Sequence, residues 1–270
     1  MVYGILALLV FFMVWGFIEA RNVQWILTQY KNPRIPPAFD GVTVCFLTDL
    51  HYGTQVSLSR IRALVQKVNS TAPDLIVLGG DLVDTDASRI LPLCGALSKL
   101  EAPMGVYRVV GNHDIMTGVR DRMTEDFKTV NITTLVNNLA TLTRNGQTIG
   151  LCGLDDLNLG MPNVKNATAG APDFSIVLSH NPDMVEQLTP KHENQFFMLA
   201  GHTHGGQITL FGKRAIFNSN KLGEKYRTGQ KRFGGTDVLI SNGFGTTGLP
   251  FRFFARPQVH FIQLKAAVDE

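Results

Sequence analysis

The sequence predicts a layered α/β domain behind an apolar N-terminal helix. Three observations carry that expectation. Short runs rich in Val, Ile, Leu and Phe recur along the chain, and each stops at a polar residue. Stretches of helical periodicity lie between several of them, and alternation of strands with helices implies helices packed on sheets. Residues 1–18 contain no charged side chain.

That first run, MVYGILALLVFFMVWGFI, approaches the ~20 residues that cross a hydrocarbon core as a helix, and Glu19 ends it. No basic segment precedes it and no clear small-residue cleavage site follows, although Glu19-Ala20 keeps a signal peptide open. The reading favoured is a retained single-pass anchor over residues 1–20, ahead of a signal peptide or a buried helix. Arg21, Lys31 and Arg34 lie on its C-terminal flank alone, which places the remainder in the cytoplasm by the positive-inside rule. Residues 23–30, with Trp25 and Tyr30, read as an interfacial helix or an ordinary linker helix. A Pro-rich break at 31–37 closes a linker over 21–40, and the domain proper spans 41–270, beginning near Ala38.

Within the domain, apolar runs at 42–47, 75–78 and 106–110 precede Asp49, Asp81 and Asn112. Runs at 148–152, 174–178 and 196–199 precede Asp155, His180 and His202. Their length and β-branched content fit strands buried on both faces. A helix is expected over 57–69, where Leu58, Ile61, Leu64, Val65 and Val68 mark one face; 90–100 and 184–188 are weaker cases. Residues 237–240 and 259–264 read as two more strands, and the Gly- and Lys-rich stretch 211–235 as a long loop beside the site.

Composition narrows the function classes. Lys plus Arg 25 against Asp plus Glu 22 leaves a formal charge of +3 with no basic run, which disfavours nucleic acid as a partner. Cys45, Cys94 and Cys152 are an odd set without CxxC spacing in apolar surroundings, so buried thiols are expected rather than disulfides.

Five histidines fall in short motifs of hard ligands at these strand ends: Asp49-Leu-His51, Gly80-Asp81, Gly111-Asn112-His113-Asp114, Ser179-His180-Asn181 and Gly201-His202-Thr203-His204. Asp49 and His51 stand two apart and share a face at a strand end. Asp81 can bridge two ions, since a carboxylate has two oxygens, and Asn112 adds an amide oxygen without charge. Carboxylate with imidazole and no thiolate suits two divalent ions such as Mn, Fe or Zn in a catalytic site.

The ordered series DLH, GGD, GNHD, SHNPD and GHTHGGQ resembles the calcineurin-like metallophosphoesterase superfamily over residues 41–264. GGQ and GFGTTGLPFRFFARPQV further resemble its membrane-associated branch, which includes bacterial phosphodiesterases and a class of UDP-2,3-diacylglucosamine hydrolases; Gln258 stands where such sequences often carry Glu. The resemblance implies a four-layer β-sandwich flanked by helices. It implies one metal on Asp49, His51 and His204, a second on Asn112, His180 and His202, and Asp81 bridging. His113 would be the general acid, with Asp114 orienting it. Asp155 and Asp156 are open between a cleft role and turn chemistry. Arg252 and Arg256 could grip a phosphate, though a structural role is favoured, and His192 and His260 read as structural or exposed.

The function expected is a membrane-anchored phosphohydrolase acting on a phosphodiester or pyrophosphate bond, its phosphorylated substrate lipid-linked, as UDP-2,3-diacylglucosamine is. Aromatics at 249–254 would then meet acyl chains or pack in the core. The competing readings are a non-catalytic scaffold of the same fold and a general phosphodiesterase or nuclease.

Overall fold

Two six-stranded sheets, seen in a computed structural model that describes residues 2–188, 191 and 195–267, pack face to face. Numbered in chain order, the first runs β1 (Gln24–Asn32), β14 (Gln258–Ala266), β2 (Thr43–Leu47), β3 (Leu75–Leu78), β4 (Val106–Arg108) and β5 (Ile132–Thr134). The second runs β12 (Gly229–Phe233), β13 (Thr236–Ile240), β9 (Phe196–Ala200), β8 (Ser175–Leu178), β7 (Gln147–Gly153) and β6 (Asn138–Arg144). A small hairpin of β10 (Thr209–Leu210) and β11 (Arg214–Ala215) stands apart. The strands β3, β8 and β9 are buried along their whole length, as their uninterrupted apolar sequence requires when both faces are covered.

Phe46, Val77, Ile149, Ile176 and Phe197 fill the space between the sheets. Helices α2 (Leu58–Asn69) and α3 (Ile90–Leu97) and a further helix at Arg120–Lys128 cover the outer face of the first sheet. The expected face of α2 is the buried one, through Ile61, Leu64, Val65 and Val68, and the Ser57 hydroxyl caps its start by accepting the Arg60 N–H. The outer face of the second sheet carries thinner cover: the helical turn Pro182–Gln187, with Met184 and Val185, and a short helix at Val164–Ala167. The layers are thus helix, sheet, sheet, helical turns, the architecture expected. All three cysteines are buried and free.

Two expectations change. Residues 23–30 are not a helix: β1 pairs in parallel with β14 from Gln24↔Gln258 to Asn32↔Ala266, so the folded unit begins well before Ala38. Trp25, Ile26, Thr28 and Tyr30 favour a strand, and the open edge of β14 supplies the ladder that a linker helix would forgo. The stretch 211–235 is not all loop either, because Gly229–Phe233 forms an edge strand turning through Gly234-Gly235 into β13. His192 lies outside the described residues.

The N-terminal helix α1 (Val2–Glu19) is long and apolar enough to cross a membrane, and of its residues Gly16 and Glu19 are buried. Its last turn is docked on the domain. Arg252 N–H donates to the Gly16 carbonyl, Arg60 to the Ala20 carbonyl, and the Glu19 carboxylate accepts the Ala255 N–H at 3.0 Å. Of these contacts, Arg60 sets a guanidinium on a carbonyl just past the helix end, where positive charge opposes the negative end of the dipole.

Candidate metal centre

Backbone pairing continues past the strand ends and sews their loops together. Asp49 N–H donates to the Gly80 carbonyl, His51 N–H to Asp81, and Gly201 N–H to His180, all at 3.0 Å. Residues following β2, β3, β4, β8 and β9 are thereby brought to one edge of the sandwich, beyond the carboxyl ends of the strands.

The backbone there is unusual. Asp49 (φ 53°), His51 (45°), Asp81 (50°), His202 (69°) and His204 (52°) are left-handed. That conformation costs an L-residue about 1–2 kcal/mol, so surrounding contacts hold the side chains in an aim the isolated chain would not choose. Close approach adds a demand on glycine: a Cβ on Gly111 would overlap the Asp81 carboxylate, and one on Gly201 that of Asp49.

The side chains converge in two adjoining groups. In one, His51 Nε2 lies 3.0 Å from His204 Nε2, and His204 Nε2 lies 3.5 Å from Asp49 Oδ1. In the other, His180 Nε2 stands 3.1 Å from Asp81 Oδ2, and His202 Nδ1 stands 3.0 Å from Asn112 Oδ1. Asp81 joins them: its Oδ1 accepts the His113 N–H, while Oδ2 faces His51 at 3.6 Å as well as His180.

The donor chemistry fits divalent cations. His180 Nδ1 sits 2.9 Å from the Gly79 carbonyl, which can only accept, so Nδ1 carries a proton and Nε2 is the ring atom turned to the Asp81 carboxylate, where a cation would take the place of the second proton. Asp49, His51 and His204 form one candidate cation group and Asp49, Asp81 and His180 another. Burial opposes a charge on His180, yet Asp81 and Asp49 outweigh it and push its pKa up to about 10. Burial opposes ionisation of Asp81 too, and His180 and His51 overcome it and hold Asp81 well below the usual carboxylate range. Two buried carboxylates thus set a field that retains positive charge.

His113 borders this pair, and the residue beside its ring is Asp84, not Asp114. Its Nδ1 lies 3.0 Å from the Asp84 carbonyl and 3.2 Å from Asp84 Oδ1. Asp114 is fully buried on the other side of the short helix Asn112–Met116, where it accepts N–H groups of Leu82, Val83 and Gly111. Successive helical residues point about 100° apart, so neighbours in sequence do not face one another. The signal for Asp84 was present in Gly80-Asp-Leu-Val-Asp84, three positions after a candidate ligand.

Asp155 and Asp156 shape the turn that follows β7. Asp155 pairs with Arg120 at 3.1 Å, and Asp156 caps Asn158 and Leu159, placing Asn158 3.4 Å from His202 Nε2. Arg252 is a clamp. Fully buried, it donates to the carbonyls of His204, Ala255, Asn242 and Gly245, joining the His204 loop to the segment on which α1 docks. Arg256 binds the Asn22 carbonyl and side-chain oxygen. Gln258 accepts the Asn242 N–H at 2.9 Å, so its departure from Glu falls on loop packing. His260 is buried in β14 beside Phe46.

A sandwich with carboxylate, imidazole and amide donors gathered at its strand ends has the make-up of a metal-dependent hydrolase. The chain belongs to the calcineurin-like phosphoesterases, whose family profile matches residues 42–206. It is 32% identical over 259 residues to the uncharacterized metallophosphoesterase YkuE of Bacillus subtilis, covering 93% of this chain and 88% of that one. It is 28% identical to the transmembrane protein with metallophosphoesterase domain of Danio rerio, covering 94% of this chain but 60% of that longer protein. The solved structure of TT1561 of Thermus thermophilus matches 75% of this chain and 89% of its own at 13% identity, with a TM-score of 0.47.

Proposed function

We propose that the chain is a membrane-anchored, dinuclear metal-dependent phosphohydrolase that cleaves a phosphodiester or pyrophosphate bond. The observation that supports it most directly is Asp81, whose one free oxygen faces histidines of both groups, as a carboxylate shared by two cations must. Asp49, His51 and His204 would hold one ion, and Asn112, His180 and His202 the other, with Asp81 between. Divalent ions such as Mn, Fe or Zn would supply Lewis-acid polarisation of the phosphoryl oxygens and a lowered pKa for water.

The remaining chemistry falls to the chain. A water oxygen attacks phosphorus, the ester P–O bond breaks, and the departing oxygen takes a proton. With Nδ1 held by Asp84, His113 keeps Nε2 to deliver that proton.

The reading of α1 as the anchor is supported by its exposed apolar length, while its last turn is fixed to the domain through the Glu19 carboxylate, which accepts the Ala255 N–H. Arg21, Lys31 and Arg34 on the domain side favour a cytoplasmic catalytic domain. An anchored site suits a lipid-linked substrate, with UDP-2,3-diacylglucosamine one candidate. The test is full-length protein with Mn²⁺ and a chromogenic phosphodiester, beside Asp81→Ala and His113→Ala, with bound metal counted by mass spectrometry. Hydrolysis lost in both variants supports the reading; wild type inert across Mn, Fe and Zn overturns it in favour of the scaffold.

A further inference from the structure

The face that carries α1 continues into an exposed apolar surface. The Phe253 ring packs on α1 with its centroid 6.4 Å from Phe12 and 6.0 Å from Trp15, and Phe254 lies 5.0 Å from Trp15. Phe211, at the turn of the β10–β11 hairpin, lies 5.5 Å from Phe254 in turn. Phe211 is 77% exposed, and Ile216 and Phe217 beyond the hairpin are 69% and 75% exposed. A soluble surface rarely gathers such residues without a partner.

Two further features identify the partner. Phe12 and Trp15 lie well inside the apolar run that Glu19 ends, about 10 and 6 Å back along the helix axis at its usual rise. Whatever touches them sits at the depth of the lipid boundary once α1 spans. Phe211 (φ 52°) and Phe254 (φ 54°) both hold left-handed backbone, a strained state for a bulky residue, and their rings meet at a 46° tilt, Phe254 lying against Trp15 of the helix. Lys213 and Arg214 at the same turn are exposed and complement anionic headgroups.

We propose that the β10–β11 hairpin and the 249–254 loop enter the lipid interface beside the anchor, as a second contact with the bilayer. The proposal rests on the anchored reading of α1. It has a consequence for the site. A trough of 370 Å³ lined by His202, His204, Ile208, Ile216, Phe217 and Leu249 adjoins the metal centre, and it would then open at the membrane surface. A phosphorylated amphiphile could present its headgroup to the metal centre with its apolar part still in lipid.

The test uses full-length chain in vesicles of equal parts phosphatidylcholine and phosphatidylglycerol, with an environment-sensitive fluorophore on Phe11→Cys, Phe211→Cys, Phe217→Cys or Lys99→Cys. The native cysteines are buried, and Lys99 is exposed beyond the end of α3. Spin-labelled lipids are expected to quench the labels at 11, 211 and 217 severalfold more than the label at 99. Labels at 211 and 217 as unquenched as that at 99, beside a quenched label at 11, overturn the second contact. An unquenched label at 11 overturns the anchor itself, and the second contact with it.

Discussion

Two polar clusters stand side by side at one edge of the sandwich, and they are built in opposite ways. In the candidate metal centre, ligand-type groups are held in strained backbone and crowded on one another, His51 and His204 Nε2 3.0 Å apart, so that their polarity is not completed within the chain. In the joint around Arg252, a fully buried guanidinium is spent on carbonyls of His204, Asn242, Gly245 and Ala255. Unsatisfied buried polarity costs stability, and completed polarity holds a shape. The difference separates a region kept ready for a ligand from one that fixes where that ligand would sit.

Substitutions sharpen or break this contrast. The largest effect is expected from Asp81→Ala: loss of bound metal and of hydrolysis by about 10³-fold, roughly 4 kcal/mol of transition-state stabilisation, with little change in the urea midpoint of metal-free protein. An equal loss of stability would show that the metal centre also holds the fold. Arg252→Met is the converse. Stranding several carbonyls should cost about 3 kcal/mol in urea unfolding, and a neutral result would break the contrast.

His260 offers a control outside both clusters. Burial pushes its pKa down to about 4, so the folded protein keeps it neutral while the unfolded chain takes a proton below about 6.5. Its contribution is therefore intact above that pH and lost as pH falls towards 4, amounting to about 2 kcal/mol by pH 5. His260→Leu should flatten that part of the stability profile. The smallest effect belongs to Asp84→Asn, which should lower kcat about tenfold by loosening His113. Asp114→Asn should instead lower stability, and the reverse pattern would restore Asp114 as the orienting residue.

The candidate ligand positions were legible because each motif is local, and a strand end followed by Asp or His can be read without knowing its partner. Asp84 was missed because adjacency in sequence favoured Asp114, although helical geometry turns Asp114 away. The strand β1 was missed because its partner is 234 residues distant and nothing nearby announces the pairing. The Arg252 clamp was hidden for another reason: its acceptors are main-chain carbonyls, and these leave no trace in side-chain identity.

The parallel pairing of β1 with β14 also dictates an order of events. Because β14 lies between β1 and β2, the strand that emerges first from the ribosome has no neighbour until almost the whole chain has been synthesised. Contacts of such sequence separation form late and slowly. Until then β1 waits as an unpaired edge, a state open to aggregation. On the proposed anchored reading, α1 in the bilayer would hold that edge apart from other nascent chains while its partner is being made.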